Sequence, residues 1–223
     1  MKVTTDACLF GAWVTHQCRN TIREPLVLDI GTGTGLLSLM ISQKIESVID
    51  AVEIDREAFE QARQNFELSP WKNSIQAIIG DVRQLAFDKL YEIIISNPPF
   101  YENDLRSPSI GKNKAHHDES LLLTELISVI KKNLHPTGKF FLLLPYRRNN
   151  EIKKVFEESA LRLISKIEVR PTTRHKPFRI MLEGMHASEI KEDGNTAEIV
   201  IKDEQNRYTQ DFTELLKDYY LHL

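Results

Sequence analysis

Residues 26–35 read Leu-Val-Leu-Asp-Ile-Gly-Thr-Gly-Thr-Gly, and no other stretch limits the possible folds so tightly. The apolar run from Leu26 to Ile30, bounded by Pro25 and Gly31, is the length of a strand buried on both faces. Three alternate glycines follow, which permit dihedrals closed to other residues and let a ligand approach the main chain. Leu36, Leu39, Met40 and Ile45 then recur at helical spacing. The segment therefore predicts strand, tight turn and helix, with free N–H groups of the helix facing an anionic group. A strand apolar on both faces belongs in a parallel sheet covered by helices on both sides.

The rest of the chain repeats the alternation. An amphipathic helix over Thr5–Cys18 precedes the first strand, and strands are expected at 48–54, 75–79, 91–96 and 139–144. Helices are expected where Ala58, Phe59, Ala62 and Phe66 share a face, over 120–134 up to Pro136 and Gly138, and over 150–160. Beyond residue 160 the alternation stops. Residues 164–169, 178–187 and 197–201 read as successive strands, with Asp193-Gly194 as a turn between the last two. The expected class is α/β: a doubly wound, mostly parallel sheet of the seven-stranded type with antiparallel C-terminal edge strands. A length of 223 residues suits one domain, 1–223. Within it, 1–20 form a helical segment, 21–160 a cofactor-binding and catalytic core, and 161–223 the antiparallel strands and a closing helix.

Composition excludes several classes. The chain is 41% hydrophobic and 27% charged, ordinary for a globular protein, and it shows no apolar run long enough for a membrane span and no secretory leader pattern. A cytoplasmic, monomeric protein is expected. Cys8 and Cys18 lack metal-ligand spacing and read as buried free thiols, and His116-His117 has no third ligand at useful spacing, so no metal is expected. Net charge is −3, yet residues 139–179 hold eleven Lys and Arg against four acids, which points to a polyanion bound on one side.

In a sheet of this kind, ligands bind beyond the carboxyl ends of the strands. Leu36 stands where a dinucleotide fingerprint requires glycine, whereas Asp29-x-Gly31-x-Gly33-x-Gly35 resembles the turn of class I methyltransferases. That resemblance implies S-adenosylmethionine as cofactor, with Asp29 holding its ammonium group. Glu53, a little over twenty residues on, can accept from both ribose hydroxyls. Asp81 can accept from the adenine amino group and the Val82 N–H can donate to the ring, although an Asp in a turn also serves as a helix cap.

Asn97-Pro98-Pro99-Phe100 is the most specific motif. An exocyclic amine is a poor nucleophile because its lone pair is delocalised, and two acceptors can draw its nitrogen toward tetrahedral geometry. In the motif as it is understood, the Asn97 side-chain oxygen and the Pro98 carbonyl each accept one N–H of the amine. Pro98 and Pro99 fix the backbone, and Phe100 stacks on the target base, a contact worth about 1–3 kcal/mol in comparable sites. No metal and no strong base are required.

These motifs, with Leu9-Phe10-Gly11-Ala12-Trp13, Asp50-Ala51-Val52-Glu53, Asn65, Ser69-Pro70-Trp71 and the opening Met-Lys-Val-Thr-Thr-Asp, resemble the bacterial tRNA1(Val) adenine-N6 methyltransferase family over nearly the whole chain. The resemblance implies methylation of an adenine beside the anticodon, with tRNA as partner through its anticodon loop, and it puts Thr5 and Asp6 near the cofactor. Family members usually carry further residues before the segment matching Met1, which is expected to leave part of the active-site lid missing here. They also tend to have Gly at Thr4 and Tyr at Phe100. Arg106, Lys112, Lys114, Arg174, His175, Lys176 and Arg179 are the candidate RNA contacts. Guanine 2-amino methylation of rRNA, methylation of a protein glutamine amide, and a catalytically silent cofactor-binding module remain open alternatives.

Overall fold

A computed structural model describes residues 3–19, 23–98, 121–189 and 194–222. Pro99, Phe100, Arg106, Lys112, Lys114 and the His116-His117 pair lie outside the described residues, as does Asp193 of the expected turn. The elements in chain order are α1 (Thr5–Cys18), β1 (Leu26–Ile30), α2 (Leu36–Ser42), β2 (Val48–Glu53), α3 (Arg56–Glu67), β3 (Ile75–Ile79) and β4 (Tyr91–Ser96). After them come α4 (Leu123–Asn133), β5 (Leu134–Pro145), α5 (Asn149–Glu157), β6 (Leu161–Thr172), β7 (Arg179–His186), β8 (Asn195–Lys202) and α6 (Gln210–Leu216).

The strands form one eight-stranded sheet in the order β3-β2-β1-β4-β5-β7-β6-β8. Strand order reverses between β1 and β4, which pair in parallel with Ile30 opposite Ser96, so the turns leaving them are neighbours. Alternation along each strand feeds two cores. Val27, Ile93, Ile95, Phe141 and Leu143 pack with α1, α2, α3 and α6, where the Trp13 ring meets Phe141 edge-on at 5.6 Å. Leu28, Ile30, Ile94, Phe140 and Leu142 pack on the other face against α4 and α5.

The expected doubly wound sheet is present, with two differences. Only β7 runs against the rest: it pairs antiparallel with β5 and β6, while the edge strand β8 runs parallel to β6. Apolar runs report burial, but they carry no information on strand direction. The second difference lies before β5. The sequence places Pro136 and Gly138 in a break after the helix, yet the strand begins at Leu134 and its register with β4 jumps from Tyr91↔Leu134 to Ile93↔Lys139. Residues 135–138 bulge out there, so proline occupies a position where no ladder bond is demanded. None of the described helices is long and apolar enough to cross a membrane.

Candidate active site at the carboxyl ends of β1 to β4

The glycine turn is held from below. Gly31, Gly33 and Gly35 take φ values of +72°, +60° and +82°, a left-handed region that side-chain-bearing residues rarely adopt. Gly31 and Thr32 donate their N–H groups to the Val52 carbonyl, Gly33 donates to Glu53 Oε2 at 2.8 Å, and Gly35 donates to the Thr32 carbonyl. These four donors therefore serve the turn itself. Open space lies where a Cβ on Gly31 would be, whereas one on Gly35 would come within 2.3 Å of Phe66 Cε1. The first glycine leaves room for a ligand, and the third lets α3 pack close behind. From the same helix, Asn65 Nδ2 donates to the Thr34 carbonyl at 2.8 Å.

Asp29 is fully buried behind the turn. Its Oδ2 accepts from Thr32 Oγ1 and Ser38 Oγ, both at 2.7 Å, while Oδ1 has no hydrogen-bond partner. Burial pushes its carboxyl up to about 6, against those two hydrogen bonds and with the nearby Glu53 charge adding to the rise. An orphaned buried acceptor is costly, and a donor brought by a ligand would relieve it. The open space at Gly31 and this orphaned oxygen fit a cofactor carrying an ammonium group.

Glu53 and Asp81 stand at the next two strand ends. Glu53 Oε1 accepts from the Ile54 and Asp55 N–H groups at 2.9 Å each, so with Gly33 three of its roughly four acceptor positions are filled. Room for one further hydrogen bond remains, not two. Asp81 is gripped by Arg83, whose Nε and Nη2 reach both carboxylate oxygens at 2.7–2.9 Å. The Arg83 hydrogen bond lowers the Asp81 carboxyl below its ordinary range. Arg83 Nη1 continues to Glu125 at 3.2 Å, and Glu125 Oε2 accepts from the Leu122 N–H at the start of α4. This chain of contacts was not read from the sequence, although the spacing Asp81-x-Arg83 could have suggested it.

Asn97 and Pro98 leave β4 beside the turn that leaves β1. Ser96 Oγ donates to the Ile30 carbonyl at 2.7 Å and pins the two strand ends together. A single cavity of about 870 Å³ is lined by Asp6, Gly31, Gly33, Glu53, Asp81, Val82, Asn97, Pro98 and Arg179, among others. Thr5, Asp29 and Gly35 do not border it.

The candidate RNA residues divide. Arg179 enters the cavity, where its Nε meets Asp6 Oδ2 at 2.7 Å. Burial pushes the Asp6 carboxyl upward, but hydrogen bonds from Thr4 and Arg179 and the Arg179 charge hold it below its ordinary range. Arg174, His175 and Lys176 are exposed on the turn joining β6 to β7, with Arg174 3.9 Å from Glu204 and His175 Nδ1 2.7 Å from Thr172 Oγ1. Because β6 runs parallel to β1, this turn rises from the same end of the sheet as the cavity. Among the described residues, no group of three or more His, Cys, Asp or Glu could hold a metal ion.

Residues 14–163 match the family model described as methyltransferase small domain. The chain is 38% identical to a tRNA1(Val) (adenine(37)-N6)-methyltransferase of Dyadobacter fermentans, over 99% of this chain and 91% of the relative. It is 34% identical to one of Pseudoalteromonas translucida, over 99% and 92%. Among solved structures it superposes on a "predicted O-methyltransferase" from Agrobacterium tumefaciens with a TM-score of 0.71 at 16% identity, covering 95% of both chains. It also superposes on the glycopeptide N-methyltransferase MtfA complexed with S-adenosyl-L-methionine, with a TM-score of 0.57 at 12% identity over 80% of this chain and 93% of the other. At these identities the solved structures speak for the fold alone.

Proposed function

The chain belongs to the tRNA1(Val) (adenine(37)-N6)-methyltransferase family, and on that premise we propose that it methylates the exocyclic 6-amino group of the adenine beside the anticodon of a valine tRNA. S-adenosylmethionine supplies a methyl group on an electrophilic sulfonium. One observation carries the reading: Asn97 and Pro98 share a cavity with the glycine turn, Glu53 and Asp81.

In this reading Asn97 Oδ1 and the Pro98 carbonyl each accept one N–H of the target amine. Its lone pair would thereby face the sulfonium methyl group that a bound S-adenosylmethionine would supply for transfer to nitrogen. The surplus proton leaves to solvent after transfer, so no strong base is needed. Pro99 stiffens the motif and Phe100 stacks on the adenine. The buried, orphaned Oδ1 of Asp29, set behind the turn and off the cavity wall, supports a role in fixing the cofactor's ammonium end through a bridging water. Glu53 offers one remaining acceptor position to a ribose hydroxyl, while Asp81, aligned by Arg83, and the Val82 N–H read the adenine ring. Gly31 and Gly33 give close approach, Gly35 seats the turn on α3, and Asp6 closes the cavity from α1, with Thr5 behind it as its neighbour in the helix. Arg174, His175 and Lys176 meet RNA phosphates, as do Arg106, Lys112 and Lys114. Residues 1–223 work as one unit in the cytoplasm, without metal.

Incubation with labelled cofactor and unmodified valine tRNA, rRNA or release factor, followed by mass spectrometry of the product, tests the assignment. The expected product is N6-methyladenine beside the anticodon of the tRNA. Label in release factor alone, or on guanine in rRNA alone, would overturn it.

A further inference from the structure

Asp6 and Arg179 are 173 residues apart in sequence and yet form one ion pair on the wall of the cavity, with Nε to Oδ2 at 2.7 Å. The Asp6 side chain is 11% exposed and that of Arg179 37%, so the pair is only partly open to solvent and its attraction is weakly screened. Arg179 begins β7, opposite Pro145 at the end of β5, and its guanidinium lies 5.6 Å from the Phe178 ring. Of the donors of that fork only Nε is engaged with Asp6. The next turn out from it is the exposed basic segment bearing Arg174, His175 and Lys176. Arg179 thus stands between a cavity acid and the cationic rim, able to pair with a carboxylate in one direction or a phosphate in the other.

Resting on the function proposed above, we propose that Asp6 and Arg179 form an exchangeable latch: a cationic cofactor takes Asp6 as its counter-ion and releases Arg179 to bind an RNA phosphate. S-adenosylmethionine carries an ammonium, a sulfonium and a carboxylate, for a net charge of +1. Any such ligand in this cavity competes with the guanidinium for Asp6 and repels it. A guanidinium paired with Asp6 is largely neutralised toward phosphate, and one without that partner is not. The two substrates therefore bind with positive coupling, and by linkage the RNA raises cofactor affinity by the same factor.

The test is the affinity of a fluorescent anticodon stem–loop of unmodified valine tRNA, read by anisotropy with and without saturating sinefungin, a non-reactive analogue that keeps a positive charge at the sulfonium position. Wild type is expected to bind RNA roughly tenfold tighter with the analogue, within the usual range of coupling energies. Asp6→Asn should bind RNA at the tight level with no analogue present. Arg179→Met should bind at the weak level under both conditions, and Arg179→Lys should restore part of the coupling. Thermal melting of each variant identifies any that fail to fold, and the wild-type comparison stands without them. Wild type that methylates this RNA but binds it equally with and without the analogue, or more weakly with it, overturns the latch alone. Wild type that neither binds nor methylates it overturns the latch and the proposed function together.

Discussion

At the ends of β1, β2 and β3 the cavity wall consists of positive-φ glycines and of carboxylates whose oxygens are already bonded to the chain. Glu53 holds three N–H groups, and Asp81 is gripped by Arg83. Across the sheet, at the turn joining β6 to β7, the surface carries cations with loose partners: the Arg174 side chain is 75% exposed and 3.9 Å from Glu204. The first region is organised before any ligand arrives, which suits a cofactor of fixed shape. The second keeps its charges in solvent, which suits a phosphate backbone whose contribution is electrostatic and sequence-independent. Asp6 and Arg179 are where the two regions meet.

Breaking the rigid region has the largest effect. Gly35→Ala places a Cβ at a φ of +82° and against the Phe66 ring, a combined cost of roughly 2–5 kcal/mol. Chemical denaturation should show that loss together with weakened cofactor binding, and an unchanged midpoint would mean that the turn is not held as described. A pH titration acts on the same region more gently. Asp29 has its carboxyl raised to about 6, so the folded state keeps this proton where the unfolded chain has lost it. The stability contributed by that retained proton is full below about pH 4 and is lost as pH rises through about 6. A donor from the cofactor at Oδ1 favours the ionised form. Cofactor affinity measured by calorimetry should therefore rise roughly tenfold from pH 5 to pH 7, with release of a proton. Asp29→Asn should flatten the profile, and a flat profile in wild type would remove Asp29 from cofactor binding.

The smallest effect belongs to the exposed rim. Replacing Arg174 and Lys176 together by Gln should weaken RNA binding by a few-fold and lower the slope of log affinity against log salt by about 2. Cofactor affinity should not change. An unaltered salt slope would leave the basic turn outside the RNA footprint.

The sequence discloses the rigid region far better than the rim, and the cause is physical. Residues 26–35 carry strand, turn and helix signals within ten positions, and the strand-end residues Glu53, Asp81 and Asn97 are placed by the runs before them. Each of those runs becomes a strand of the sheet, and the residues named at their ends line one cavity. Apolar periodicity predicts burial, but it cannot show that β7 inserts between β5 and β6 or that β5 begins before Pro136. Nor can it show that Arg179 turns inward to Asp6, a contact made only after β7 has found its place. The bonds of Thr32 and Ser38 to Asp29 and of Arg83 to Asp81 join one side chain to another, which no apolar period or glycine turn marks in the sequence.

The central claim is that the β4 terminus presents amine acceptors to a cavity whose cofactor-binding wall is built independently of them. Single-turnover methyl transfer to unmodified valine tRNA by Asn97→Ala, with cofactor affinity measured on the same preparation, tests it most directly. A rate loss of roughly two to three orders of magnitude is expected, with cofactor affinity held within about twofold. Turnover at the wild-type rate, or a rate loss explained wholly by lost cofactor binding, would contradict it.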